Sequence, residues 1–105
     1  MDVIAELRLV AMFPNTGPTP VVLRVGRPYA HPDGDHACPV QADGLRLWRG
    51  PTDICGVGTW HALMLGLRFL RQMLAAEADR GAVFHWEGGE HPVRVEELFA
   101  LHAIE

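Results

Sequence analysis

The sequence predicts a single α+β domain, an antiparallel sheet of four to five strands with one long helix packed on one face. Alternating apolar and polar residues near the N-terminus are typical of half-buried strands, and short turns rich in Pro, Asn and Gly separate them. Residues 60–80 contain no proline and carry apolar side chains at helical spacing. The 105 residues fit one domain, 1–105, and leave no room for a second.

Five segments have the pattern of strands. Residues 3–13 alternate most regularly, and the turn residues at 14–18 predict a hairpin to the next strand. Asp43-Gly44 is a second hairpin signal, so residues 45–49 are predicted to return as the fourth strand. The predicted strands cover residues 3–13, 21–25, 38–42, 45–49 and 83–86.

The helix is predicted to begin at Gly58 or Thr59 and to end at Gly81. At about 100° per residue, one face is apolar and the opposite face is polar. The apolar face holds Leu63, Gly66, Leu67, Leu70, Met73 and Leu74, and the polar face holds His61, Arg68, Gln72 and Asp79.

Apolar residues also flank the polar stripe of this helix. One sheet face reaches only part of a helix, so the flanks need a second cover. A second copy of the chain or another protein is the first candidate, and residues 93–101, folded back, are the alternative. The interface predicted on this basis consists of Met64, Leu65, Arg68, Phe69 and Gln72.

Composition excludes several classes of function. The chain has no lysine and no serine, which removes a P-loop lysine, a Schiff base and a Ser-His-Asp nucleophile. The net charge of −4 and the absence of a basic stripe argue against nucleic acid and against an anionic membrane as partners. Two cysteines without CxxC spacing and the lack of a basic leader in residues 1–6 predict a cytoplasmic location with free thiols. No cofactor is expected.

The most metal-like segment lies between the second and third predicted strands. His31, Asp33, Asp35 and His36, with Cys38 close behind, are all acceptable ligand types. Their spacing matches no zinc or EF-hand pattern, so a solvated loop is the competing interpretation. The four loop residues are therefore only candidates for a metal site.

Two further constellations lie near the start of the helix. Cys55 precedes it and His61 follows, which allows a Cys-His nucleophile, although an inert thiol is the simpler interpretation. Residues 56–59 (GVGT) could present amides to an anion but lack the third glycine of a dinucleotide fingerprint, so a helix-entry turn is preferred. Strand alternation places one of His85 and Trp86 in the core. The tryptophans assigned to the core are Trp48, Trp60 and Trp86.

Several short motifs resemble a family of small uncharacterised bacterial proteins. They are Cys38-Pro39-Val40, Asp43-Gly44-Leu45, Gly56-Val57-Gly58-Thr59 with Ala62-Leu63, and Trp86-Glu87-Gly88-Gly89-Glu90, which together span roughly the last two-thirds of the chain. Gly58-Thr59 departs from the Asp-Ser type of helix cap usual in that family. The resemblance implies a fold and carries no catalytic residues.

Taken together, the sequence predicts a non-catalytic domain that acts by protein–protein interaction, as an immunity-like protein or an escort, with a homodimer or another protein as partner. The alternative is a small metal- or ligand-binding domain that uses the histidine-rich loops.

Overall fold

The computed structural model describes residues 1–100 and has the predicted α+β architecture, an antiparallel sheet with one main helix packed against it. The sheet has more strands than predicted, because three short segments join it. The strands and helices in chain order are β1 (Val3–Met12), β2 (Pro18–Gly26), β3 (Tyr29–Ala30), β4 (His36–Asp43), β5 (Thr52–Gly56), α1 (Thr59–Asp79), β6 (Val83–Trp86), β7 (Pro92–Val93) and α2 (Val95–Leu98).

All strand pairs are antiparallel. Strand β1 lies between β2 and β6, and β7 pairs with the far edge of β6. In β4, Val40 pairs with both Val25 of β2 and Thr52 of β5, so β2 and β5 lie on opposite edges of β4. The two-residue β3 pairs with the first residues of β4.

Helix α1 packs mainly on β4 and β5. Gly66 makes the close approach possible, because a Cβ at this position would lie 2.9 Å from the Sγ atom of Cys38. Leu70 and Leu74 are 2% and 0% exposed and contribute to the core with Leu9 of β1. The predicted buried face of the helix is therefore confirmed at its centre, while Leu63, Leu67 and Met73 are partly buried at its margins.

The ends of α1 are set by glycines, as the sequence predicts. Gly58 is the N-cap residue, and Gly81, at φ 100°, follows the C-cap residue. The amide of Ala82 donates a hydrogen bond to the carbonyl of Glu77 at 3.0 Å, which closes the helix in the Schellman manner. The chain passes from this cap straight into β6.

The predicted fourth strand, residues 45–49, is wrong. Gly44, at φ 96°, does begin a turn, but the chain that follows is held in an irregular loop. The cause is Glu77 of α1, which is 1% exposed and accepts a hydrogen bond from the amide of Leu47 at 2.9 Å. Leu45 fills the core beside it, so the alternation of apolar residues here reflects a packed loop. The strand that returns along β4 is β5.

Two of the three tryptophans assigned to the core are not in it. Trp48 packs against the core, but Trp60 is 74% exposed and Trp86 is 49% exposed. Neither His85 nor Trp86 is a core residue, because Phe84 takes that place in β6 and Trp86 lies at the end of the strand, before the turn at Gly88.

Replacing Glu77 with alanine is expected to destabilise the domain by about 2 kcal/mol or more, because it leaves the Leu47 amide without its acceptor and opens a cavity. Glu77→Gln keeps an acceptor oxygen of the same reach and is expected to cost less than about 1 kcal/mol. Urea denaturation of both variants measures the difference. Equal losses in the two variants would show that this hydrogen bond does not hold the loop.

Candidate functional site

Within residues 1–100, the two most exposed large apolar side chains, Val57 and Trp60, lie at the start of α1. Trp60 is 74% exposed and Met64, one helical turn later, is 38% exposed. Val57, just before the helix, is 80% exposed. Arg68 and Arg71 continue the same side, since at 100° per residue the four helical positions fall within about 80° of arc. We call Val57, Trp60, Met64, Arg68 and Arg71 the Trp60 face.

The turn that presents this face is closely packed. Gly56 is buried, and a Cβ there would lie 2.5 Å from the amide nitrogen of Ala62. The amide of Val57 donates a hydrogen bond to Nδ1 of His61 at 3.0 Å, and the Ala62 amide donates to the Gly58 carbonyl at 2.9 Å. The turn before the helix is thus anchored to its first turn, with the side chains of Val57 and Trp60 directed into solvent.

The charge of this face is positive. The helix carries no carboxylate before Glu77, and Glu77 is buried. Within residues 1–100, neither Arg68 nor Arg71 lies within 4 Å of a carboxylate oxygen. The chain as a whole has a net charge of −4. Arg68 and Arg71 nevertheless make this part of its surface positively charged, next to the apolar side chains of Trp60 and Met64.

The five residues predicted as an interface divide into two groups. Met64, Arg68 and Gln72 are exposed, whereas Leu65 and Phe69 are half-buried and Phe69 packs against the core. On the flank of α1 opposite Phe69, Leu67 and Leu70 line a groove of about 300 Å³ together with Leu98 and Phe99. Residues 93–101 are the predicted alternative cover for the helix. This segment packs on this flank as far as residue 100, and residue 101 lies outside the described part of the chain.

Sequence reasoning missed Trp60, Val57 and Arg71 as surface residues. The signal was present, because the helical projection places Trp60 about 40° from Met64 and about 80° from Arg68, beside the polar stripe. The general preference of tryptophan for the core outweighed that position.

The metal candidates form a hydrogen-bonded turn. The Oδ1 atom of Asp33 lies 2.9 Å from Nδ1 of His31 and accepts a hydrogen bond from the Asp35 amide at 3.2 Å. The Asp35 amide and His31 hold the pKa of Asp33 below its usual range. His36 lies in β4, and its Nδ1 is buried without a partner among the described residues. Residues 1–100 contain no group of three or more His, Cys, Asp or Glu placed to hold a metal ion.

The two thiols lie in different environments. Cys38 is buried beneath Gly66, and burial raises its pKa. Cys55 is exposed on β5, where its neighbour Ile54 packs against the core. In the described part of the chain no hydrogen bond joins Cys55 to His61, whose Nδ1 accepts the Val57 amide instead.

Comparisons with known proteins identify the family. No helix of residues 1–100 is long and apolar enough to cross a bilayer. No match was found among curated proteins or among solved structures. Residues 7–95, most of the chain, match the family described as Domain of unknown function (DUF6968). The resemblance to an uncharacterised family is thereby confirmed, and the chain belongs to the DUF6968 family.

Proposed function

We propose that this domain is a non-catalytic protein-interaction module that docks through the Trp60 face. In this proposal it works in a bacterial cytoplasm, as an immunity-type neutraliser or as an escort for another protein. The observation that carries the proposal is the 74% exposure of Trp60 on a rigid helix start.

The composition of the face supports this proposal. Trp, Met and Arg are enriched in the buried centres of protein interfaces, and Trp and Arg dominate the residues whose loss weakens binding most. Burying Trp60, Met64 and Val57 against a partner would remove from water an apolar strip that the fold itself leaves uncovered. Because the turn at Gly56 packs closely on the first turn of α1, the backbone that carries Val57 and Trp60 is already ordered before binding, which lowers the entropic cost.

The cytoplasmic location in the proposal rests on the thiols. Cys38 and Cys55 are both free, which suits a reducing compartment. The non-catalytic character is supported by the lack of serine and lysine and by the engagement of His61 Nδ1 with the Val57 amide. The alternative, a metal- or ligand-binding domain, receives less support, since Asp33 is already engaged by His31 and by the Asp35 amide.

Affinity capture with matched variants tests the proposal. We expect tagged parent protein to retain one protein in near-stoichiometric amount from extracts of its source cells, and Trp60→Ala to retain at least tenfold less. Val83→Ala is the control, because Val83 is 44% exposed on β6, near the far end of α1 from Trp60. Equal retention by parent and Trp60→Ala, with a parent that sediments as a monomer, would contradict the proposal.

A further inference from the structure

We infer that the Trp60 face recognises an acidic protein segment, one that presents apolar side chains followed by carboxylates. This inference rests on the proposed function and specifies the partner of the same face. It is drawn from the order in which apolar and cationic side chains follow one another along α1.

The spacing of the face defines what the partner must offer. At a rise of 1.5 Å per residue, Met64 lies about 6 Å along the helix from Trp60, and Arg68 and Arg71 lie about 12 Å and 16 Å from it. A partner whose apolar side chains pack on Trp60 and Met64 therefore has its matching carboxylates one to two helical turns further along. Guanidinium groups bind carboxylates in paired hydrogen bonds, so Arg68 and Arg71 would also set the register of the contact.

A second copy of this chain matches the face poorly. Two copies meeting over it would bring four guanidinium groups together with no carboxylate from residues 59–76 of either helix. The one exposed carboxylate of the helix is Asp79. In an antiparallel helix pair, contact between Arg68 and Asp79 requires the two-fold axis to pass between residues 73 and 74, which places Trp60 beyond the end of the partner helix. A two-fold symmetric contact can therefore bury Trp60 or pair the arginines with carboxylates, but it cannot do both.

Extended anionic surfaces are also a poor match. A membrane or a nucleic acid presents charge over an area larger than this face, and so meets the net charge of −4 carried by the chain as a whole. Two arginines give only a small share of the contacts that such surfaces use. A protein segment is small enough to contact the Trp60 face without meeting the negative charge on the rest of the chain.

Panning a random 12-residue peptide library on the immobilised full chain tests the inference. We expect the enriched peptides to carry net negative charge together with aromatic or aliphatic residues. Synthetic copies of them should bind at least tenfold more weakly to Trp60→Ala, and at least tenfold more weakly to the double variant Arg68→Glu/Arg71→Glu. The matched control is Arg27→Glu/Arg49→Glu, which makes the same change in net charge at exposed positions outside the face and should bind as the parent does. Unchanged melting temperatures show that the variants remain folded.

Other outcomes overturn the inference in distinguishable ways. Trp60-dependent peptides that are neutral or basic would exclude an acidic partner. An equal loss in both double variants would show that the net charge of the chain, and not Arg68 and Arg71, attracts the peptide. The proposed function stands in both cases. Self-association of the parent at micromolar concentration, weakened by Trp60→Ala, would assign the face to a second copy. Trp60-dependent binding to phosphatidylserine vesicles would overturn the inference and the proposed function together. So would the absence of any Trp60-dependent binding in a monomeric parent.

Discussion

Replacing Leu70 with aspartate is expected to leave the domain unfolded at room temperature. Leu70 is 2% exposed and lies at the centre of the buried face of α1. A carboxylate placed there loses its hydration without gaining a partner, and truncating a buried leucine alone costs about 2–5 kcal/mol. The sum is comparable with the whole stability of a small domain, about 5–15 kcal/mol.

Gln72→Asp is the matched control, because Gln72 is exposed on the opposite side of the same helix and receives the same new side chain. We expect its free energy of unfolding to stay within about 1 kcal/mol of the parent. Circular dichroism at 222 nm during thermal melting checks both variants. A cooperative transition of Leu70→Asp within a few degrees of the parent would show that the buried face of α1 is assigned wrongly.

Replacing Gly56 with alanine is expected to destabilise the domain by overpacking the start of α1. Its Cβ would lie 2.5 Å from the amide nitrogen of Ala62 and 2.8 Å from the carbonyl carbon of His61. Both are backbone atoms of the first turn of α1, so relief requires the helix start to move away from β5. Overpacking of this kind costs about 1–3 kcal/mol and sometimes more. Because the same turn orients Val57 and Trp60, we also expect partner binding to weaken.

Gly17→Ala is the control for this substitution, since no atom lies within 4 Å of the position its Cβ would take. We expect its stability to match or slightly exceed that of the parent, as the unfolded chain loses conformational freedom. Guanidinium denaturation measures both changes. If Gly56→Ala were as stable as Gly17→Ala, the close packing of β5 against α1 would be refuted.

Much of the fold could be predicted because the relevant signals are local. The alternation in residues 3–13 and the turn after it reflect the β1–β2 hairpin directly. The long proline-free stretch between two glycines defines α1 to within a residue at each end, 60–80 against Thr59–Asp79. In these segments, the pattern of side chains and the backbone geometry follow the same period.

The errors in the predicted strands, at residues 45–49 and at β5, arise from contacts between residues that are distant in the sequence. Residues 45–49 alternate like a strand, but Glu77, far along the chain, binds the Leu47 amide and holds them as a loop. Strand β5 follows Gly50-Pro51, ends at Gly56 and is followed by Gly58. This composition is typical of a loop. Its pairing with β4 and the packing of α1 on both strands are long-range contacts that the local sequence does not show.

The candidate site could be predicted only in part. The width of the apolar surface of α1 correctly indicated that some of it lies outside the core, and Met64 is exposed as expected. Phe69 is half-buried and packs against the core, and Trp60, which was assigned to the core, is exposed. The helical pattern gives the angular position of each side chain on α1, but it does not show which other segments of the chain cover the two flanks of the helix.

The position of β1 between β2 and β6 has a consequence for synthesis of the chain. Ala11 pairs with Thr19, which follows it closely, and also with Phe84, near the other end of the sequence. While the ribosome is still adding residues, β1 can pair with β2, but its second edge stays open until β6 emerges. Contacts of such long sequence separation slow folding, and an open strand edge invites pairing with other chains. The nascent domain therefore carries one unpaired edge of β1 until β6 has emerged from the ribosome.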